Sequence, residues 1–424
     1  MADGVTVTDV SGNFSIAAND INLNTSGKID AGTGTLLINR ASASGTIGLG
    51  STTCGGSCDM TLDGTEISNI TGQLALGGAG ITTIYVNSLT AAQTATLNGA
   101  IQIGVFGAGT VIFEGSTSVF SAGTGLFLAA SSANTLNAGI TVSSGDITVQ
   151  SGTVTAADGV SLTAGGGSVT LGTATNASGA FTVNATGDIT INDNFISLGR
   201  LTITADSDAS GAGDLTLASG VTITTNNNAL DIQAANIDNS SSTIDAGSGA
   251  ATFAITQSVT ADGTDFASIT AGSLSIGVAG DLIVNGVTAS ELTNIAGLLT
   301  LGATGDVTFQ TAASSHNQAV TVNAGNDINV KVDVTSGGDF TATADSDDSG
   351  VGDFTVDSGA TVTSSAGDIS VTAVNIVEDG TLASISGSVT RIESNPATVL
   401  ADELDEGTQS TFVQDFTSPT EAGC

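Results

Sequence analysis

Apolar and polar residues alternate one by one over short stretches along most of this chain. The alternation is clearest after a Gly-Asp pair. It reads GDITV at Gly145, GDITI at Gly187, GDLTL at Gly213, GDLIV at Gly280, GDVTF at Gly305, GDFTV at Gly352 and GDISV at Gly367. Period-two alternation marks a half-buried β-strand, with Val, Ile, Leu and Phe on the inner face and Thr and Ser on the outer. Gly and Asp ahead of each strand supply turn conformations that bulkier residues resist. Between Phe354 and Ile376 the strand segments start near Phe354, Ala360, Ile369 and Val374, about seven residues apart. Three such strands make a coil of roughly 20–25 residues, the length of a parallel β-helix turn. No stretch sustains apolar residues at i, i+3 and i+4, and β-branched residues abound, so helix is expected to be almost absent.

The pattern also recurs on a larger scale. LTITADSDASGAGDLTL at Leu201–Leu217 returns as FTATADSDDSGVGDFTV at Phe340–Val356, and the wider stretches Phe181–Asp238 and Val320–Val377 align without gaps at 26 of 58 positions. A second word, GTEISNITGQLALG at Gly64, returns as ASELTNIAGLLTLG at Ala289, with looser copies at Gly263 and Gly380. Self-similarity of this kind belongs to stacked supersecondary units. The expected fold is therefore all-β: a right-handed parallel β-helix, or β-solenoid, with short strands and Gly/Asp/Asn-rich turns. It is expected to span residues 1–390 as a rod of roughly 17 coils, on the order of 80 Å at ~4.8 Å per coil. Residues 391–424 hold both prolines and the cluster Asp402, Glu403, Asp405 and Glu406, and read as an acidic cap or linker tail.

Composition narrows the classes further. Aromatics are 4% of the 424 residues and Trp is absent, so Val, Ile, Leu and Ala must fill a narrow core. Five basic residues (Lys28, Arg40, Arg200, Lys331, Arg391) stand against 41 acidic ones, a net charge of −36. Nucleic-acid binding needs Lys and Arg to neutralise phosphates, so no nucleic-acid partner is expected. An anionic membrane would repel this chain, and no segment reaches the ~18 apolar residues of a span, so no membrane insertion is expected. The opening MADGVTVTDV lacks the basic and apolar regions of a signal peptide.

Certain words carry a resemblance. TGTLLINRASASGTIGLG at Thr33–Gly50, CGGSC at Cys54–Cys58, the GTE(I/L)xxIxGxLxLG word and the GDITV word are similar to the repetitive shafts of filamentous-haemagglutinin-like bacterial surface exoproteins. The similarity covers most of residues 1–390. It implies a right-handed β-helix on a cell surface, acting in adhesion, aggregation or biofilm. The Asn-Pro-Asn motif of that family's secretion domain has no counterpart; the single Asn-Pro is Asn395-Pro396.

Four features are candidates for chemistry. The acidic turns come first: Asp206, Asp208, Ser210, Ala212 and Asp214, and their copies Asp345, Asp347, Ser349, Val351 and Asp353, follow a D-x-D-x-S-G-x-x-D spacing. Oxygens from positions 1, 3, 5 and 9 and the carbonyl of position 7 suit calcium, which takes six to eight hard oxygens at ~2.3–2.6 Å. The bland reading is a solvated Asp/Ser/Gly turn. Second, Cys54 and Cys58 are spaced for a small-loop disulfide in an oxidising compartment, with free thiols the alternative, and Cys424 is left over. Third, β-helices also carry polysaccharide-cleaving sites, but these need a carboxylate pair with a cation, and five scattered cations argue against one. His316, in AASSHNQ, reads as an exposed loop residue. Fourth, the Thr-x-Thr pairs at 202/204, 222/224, 341/343 and 361/363 suit an outward strand face, or a flat ice-binding one.

The expectation is a non-enzymatic, extracellular protein of the cell surface, the shaft of an adhesin. Calcium would pin the acidic turns, and the partners would be glycans, other surface proteins or copies of itself. A self-assembling filament subunit and a polysaccharide-active β-helix are the alternatives.

Overall fold

The computed structural model describes residues 5–394, apart from 10–11, 24–25, 43, 51–53, 55, 107–108, 122 and 240. The tail from Asn395 onward, with Cys424, the acidic cluster and Asn395-Pro396, lies outside the described residues. The chain divides into two compact units, Met1–Gly249 and Ala250–Cys424. Both are parallel β-solenoids, with about 17 turns in all.

In the first unit, three parallel stacks can be followed coil by coil. One runs from Ile147–Ala156 through Val169–Leu171, Ile189–Ile191 and Leu215–Leu217 to Ile237–Asp238. A second climbs from the end of Ile147–Ala156 through Thr175–Ala177, Phe195–Ser197 and Thr222–Thr224 to Thr243–Asp245. The third passes from Ser118–Phe120 through Ile140–Val142, Val160–Ala164, Phe181–Ala185 and Leu201–Thr204 to Leu230–Ala234. Nearer the N-terminus the strands are longer, as in Lys28–Arg40, Ile70–Ala79 and Leu126–Leu136.

The second unit repeats the plan. Its longest stack runs from Ala250–Ile255 through Ser273–Val278, Leu299–Ala303, Val320–Ala324, Phe340–Thr343 and Ile369–Ala373 to Val389–Glu393. Beside it lie the stacks from Val259–Asp262 to Asn375–Glu378 and from Ser314–His316 to Thr381–Ser384.

The alternation seen along the chain becomes the division between core and surface. Strand after strand shows a buried–intermediate–buried pattern, with Ile189 and Ile191 inside and Thr190 outside. Parallel stacking puts like residues over like, as in Ile189 over Val169 and under Leu215. Burying aligned aliphatic rows removes apolar area from water at every coil, about 25 cal/mol per Å². Phe side chains thicken the core where they occur: Phe181 and Phe195 sit with ring centroids 5.7 Å apart.

The GTEIS-type words at Gly64 and Gly263 form something other than strand, whereas the looser copy at Gly380 enters the strand Thr381–Ser384. Gly64–Ser68, Ala91–Thr94 and Gly263–Phe266 are short helical turns, each held by a reciprocal capping box. In the first, the Asp63 side chain accepts from the Thr65 and Glu66 amides while Glu66 reaches back to the Asp63 amide. Among the described residues helix is almost absent, as the periodicity predicts, and it is confined to short turns such as these. A turn of four or five residues is too short to display an i, i+3, i+4 stripe, and its signal is the capping residue followed three positions later by Glu, Gln or Asp.

Candidate functional site

The acidic loops are insertions in otherwise regular coils. Val169 pairs with Ile189, and Ile189 in turn pairs with Leu215. The second of these coils is the longer, and its excess bulges out at 205–214. In the second unit Val307 pairs with Ile328 and Ile328 with Phe354, again a regular coil followed by a longer one, with the excess at 344–353.

The carboxylates close these loops on themselves. Asp206 is fully buried and its Oδ1 accepts from Ser210 Oγ at 3.0 Å, while the Gly211 amide donates to the same carboxylate at 3.0–3.1 Å. Asp208 Oδ1 accepts the Ser210 amide at 3.3 Å. The copy repeats each contact: Ser349 Oγ and the Gly350 amide donate to Asp345 Oδ1 at 3.0 and 2.9 Å, and the Ser349 amide donates to Asp347 Oδ1 at 3.2 Å. Asp206 and Asp345 hold φ of 55° and 59°, the left-handed region that Asp and Asn tolerate better than most residues. Gly213 and Gly352 pass so close to the backbone of Asp206 and Asp345 that a Cβ would lie 2.2 and 2.4 Å from their amide nitrogens.

The ninth positions are turned to another task. The Asp214 amide donates to Asp188 Oδ1 at 3.0 Å, one coil away. The Asp353 amide does the same to Asp327 Oδ1 at 2.9 Å. Ala212 and Val351 lie on the loops, where the exposed Val351 offers its carbonyl to Ser349 Oγ at 3.4 Å. Among the described residues no three His, Cys, Asp or Glu side chains form a group that could hold a metal ion. Of the residues expected as calcium ligands, Asp206, Asp208, Asp345 and Asp347 accept hydrogen bonds from their own loops, and Asp353 accepts one from Asn375 of the neighbouring coil.

Every Asp of the Gly-Asp word belongs to such a ladder. In the first unit Asp146 Oδ1 accepts the Ser168 amide, Ser168 Oγ accepts the Asp188 amide, and Asp188 accepts Asp214. In the second unit the chain runs Ser258, Asp281, Asp306, Asp327, Asp353, each side chain accepting the next backbone N–H at 2.9–3.1 Å. Asn375 Nδ2 then donates to Asp353 Oδ1 at 2.7 Å. A parallel ladder links Asp339 to Asp368 and Asp368 to Ser388. The amide and hydroxyl of Ser388 hold the Asp368 carboxyl below the usual carboxylate range. Asn194 and Asp333 do the same work at equivalent corners, accepting the Thr222 and Thr361 amides. The amides at these corners lie at the first residue of a strand or just before it, where a side chain from the adjacent coil supplies an acceptor.

His316 is corrected outright. It ends the strand Ser314–His316, pairs with Ser336, and is 3% exposed. Neither ring nitrogen has a hydrogen-bond partner among the described residues, and Ser314 Oγ and Gln318 Oε1 are unpaired as well. Burial pushes the His316 pKa down to about 4, which keeps the ring neutral. Ser-Ser-His offers no apolar alternation, so nothing in its composition points inward. Its placement follows from the coil above, where Val334 and Ser336 also face in.

Cys54 and Cys58 are joined in a disulfide, Cα atoms 5.1 Å apart. Three of the five cations are engaged: Arg40 with Asp59 at 2.9 Å, Arg200 with Asp231 at 2.6 Å, and Arg391 with Glu378 through Nη2 at 2.8 Å. Arg200 leads into Leu201–Thr204 and Asp231 lies on the strand stacked against it, so the pair ties coil to coil. No protein-family model matches this chain, and comparisons with curated proteins and with solved structures gave no match.

Proposed function

We propose that this chain is a non-catalytic structural shaft of a bacterial cell-surface exoprotein, of the filamentous-haemagglutinin-like adhesin type. The observation that carries the reading is the side-chain ladder. All seven Gly-Asp words spend their carboxylate or amide on the adjacent coil rather than on a shared cleft. A chain selected for chemistry converges its polar groups on one place; this one distributes them at coil intervals, as a load-carrying repeat does. The Cys54–Cys58 disulfide favours an oxidising, extracellular setting. Three of the five cations are committed to coil-stabilising or surface ion pairs, leaving little for polyanionic partners.

The mechanism is mechanical. Aligned aliphatic rows and backbone ladders hold the coils, and the acidic exterior keeps neighbouring shafts apart in solution. Partners at the surface, glycans or other surface proteins, would engage many weak sites together. The experiment compares cells displaying the full chain with cells displaying it shortened by whole coils. Adhesion or cell aggregation should fall with shaft length. Equal adhesion at every length, or release of reducing ends from pectin, alginate or hyaluronan by the purified chain, would sink the reading.

A further inference from the structure

In the first unit, four strands stack in parallel with an unusual outer face: Lys28–Arg40, Ile70–Ala79, Ile101–Phe106 and Leu126–Leu136. Leu37 lies beside Ala75, Ala75 beside Gln102, and Gln102 beside Phe127. In the next outward column Gly77 lies beside Gly104 and Gly104 beside Ala129. Bulk is therefore missing at Ala75 in the first column and at Gly77 and Gly104 in the second. The result is an open groove of about 310 Å³, floored by Ala75, Gly77 and Gly104 and walled by Leu37 and Asn39 at one end and Phe127 at the other.

The backbone forces this emptiness. Gly77 has φ of 149°, and a Cβ there would lie 1.8 Å from the Gly104 carbonyl oxygen. A Cβ on Gly78 would meet the Asn39 carboxamide at 2.3 Å. A side chain at Gly77 could not be placed without moving the stack. Groove ends set three coil steps apart span about 14 Å at ~4.8 Å per coil, which suits a short oligomer better than a single small molecule.

We propose that this groove binds a neutral oligosaccharide. Its lining holds the Phe127 ring, aliphatic side chains and two carboxamides, Asn39 and Gln102, and no charged side chain. That is an uncharged lining on a chain of net charge −36, where an anionic ligand is repelled and a cationic one finds no carboxylate in the groove. Sugar rings present C–H faces to an aromatic ring and pairs of hydroxyls to planar amides, which both donate and accept. An extended peptide is a poorer fit, because the strands beneath are paired on both sides and offer no free edge to extend. This goes beyond the shaft reading, since it assigns a ligand to one flank of it.

The test uses the full chain on an array of neutral gluco-, galacto-, manno- and N-acetylglucosamine oligomers, with heparin fragments and apolar peptides alongside. Hits are titrated by saturation-transfer NMR. At least one neutral oligomer should bind, and Phe127→Ala should weaken it about tenfold. Gln102→Ala, at an exposed position, should weaken the same oligomer with the melting curve unchanged, and it carries the test should Phe127→Ala unfold. The distant exposed change Ile196→Ala should leave binding alone. Binding of heparin or peptides only, no binding of any neutral oligomer at millimolar concentration, or equal binding by all variants would each overturn the proposal. Adhesion that depends on length but not on these variants would leave the shaft reading standing while removing the groove.

Discussion

The backbone N–H of Asp214 donates to Oδ1 of Asp188 at 3.0 Å, across one coil of the first unit. The equivalent pair in the second unit, Asp353 on Asp327, closes at 2.9 Å. An acidic residue that reads as turn chemistry is in fact the rivet between successive turns. The bond is a charge-assisted one, which strengthens it and offsets the repulsion between stacked carboxylates.

Removing the acceptor should loosen that corner and little else. Asp188→Ala is expected to cost about 0.5–1.5 kcal/mol locally, because the site is exposed and water replaces the lost partner. Solenoids need not unfold in one step, so the readout is hydrogen exchange at the Asp214 amide rather than a melting point. Exchange should speed up in Asp188→Ala and stay near the native rate in Asp188→Asn, which retains Oδ1. An unchanged rate in both would remove the ladder from the account.

The acidic loops should stay closed by their own hydrogen bonds. Asp206→Ala leaves the Gly211 amide and Ser210 hydroxyl without their buried acceptor and should cost about 1–3 kcal/mol at that loop. Exchange at the Gly211 and Gly350 amides should be the same with EDTA as with millimolar calcium. Strong calcium-dependent protection would show instead that an ion draws the carboxylates together.

Stability of the second unit should depend on pH through His316. Its pKa is about 4 when folded, against 6.5 for the free side chain, so between those values the unfolded chain binds the proton and the folded chain does not. Stability therefore falls as the pH drops from 6.5 towards 4, by about 3 kcal/mol in all. In the earlier copy of the repeat the matching position is Ala177, at the end of the strand Thr175–Ala177, so the coil accepts a small apolar residue there. His316→Ala should abolish that part of the pH dependence in denaturant titrations at pH 4.5 and 7. A variant with the same pH slope as the native chain would place the titrating group elsewhere.

Glu66 joins two coils and caps a helical turn at once. Its Oε1 accepts the Leu23 amide at 3.1 Å and its Oε2 the Asp63 amide at 2.9 Å. Burial raises its pKa, and the two amides pull it part of the way back. Glu66→Ala should expose both amides to exchange at a cost of about 1–3 kcal/mol, with Glu66→Gln intermediate because its NH₂ faces one of the two donors. Loss of protection at Asp63 but not at Leu23 would limit the residue to a local cap.

What the chain's own pattern determined is which side of each strand faces in. Period-two alternation is a local property, and Ile189, Thr190 and Ile191 carry it without reference to any other residue. The repeat length was legible for the same reason, since similar words recur at coil intervals. Partnerships between coils were not legible. Asp188 and Asp214 are distant in sequence, and only stacking brings the amide of one over the carboxylate of the other. The copy Asp327–Asp353 keeps the same separation, but what stands out in the sequence is the short D-x-D-x-S-G-x-x-D run ending in Asp214 and Asp353, which reads as a calcium loop. His316 shows the limit most plainly: Ser-Ser-His has no apolar member to orient it, and its burial is imposed by the register of Val334–Ser336 above it. The groove over Gly77 and Gly104 is likewise a property of the stack. Neither glycine marks a hollow within its own strand, and together they leave one because parallel registry sets them side by side.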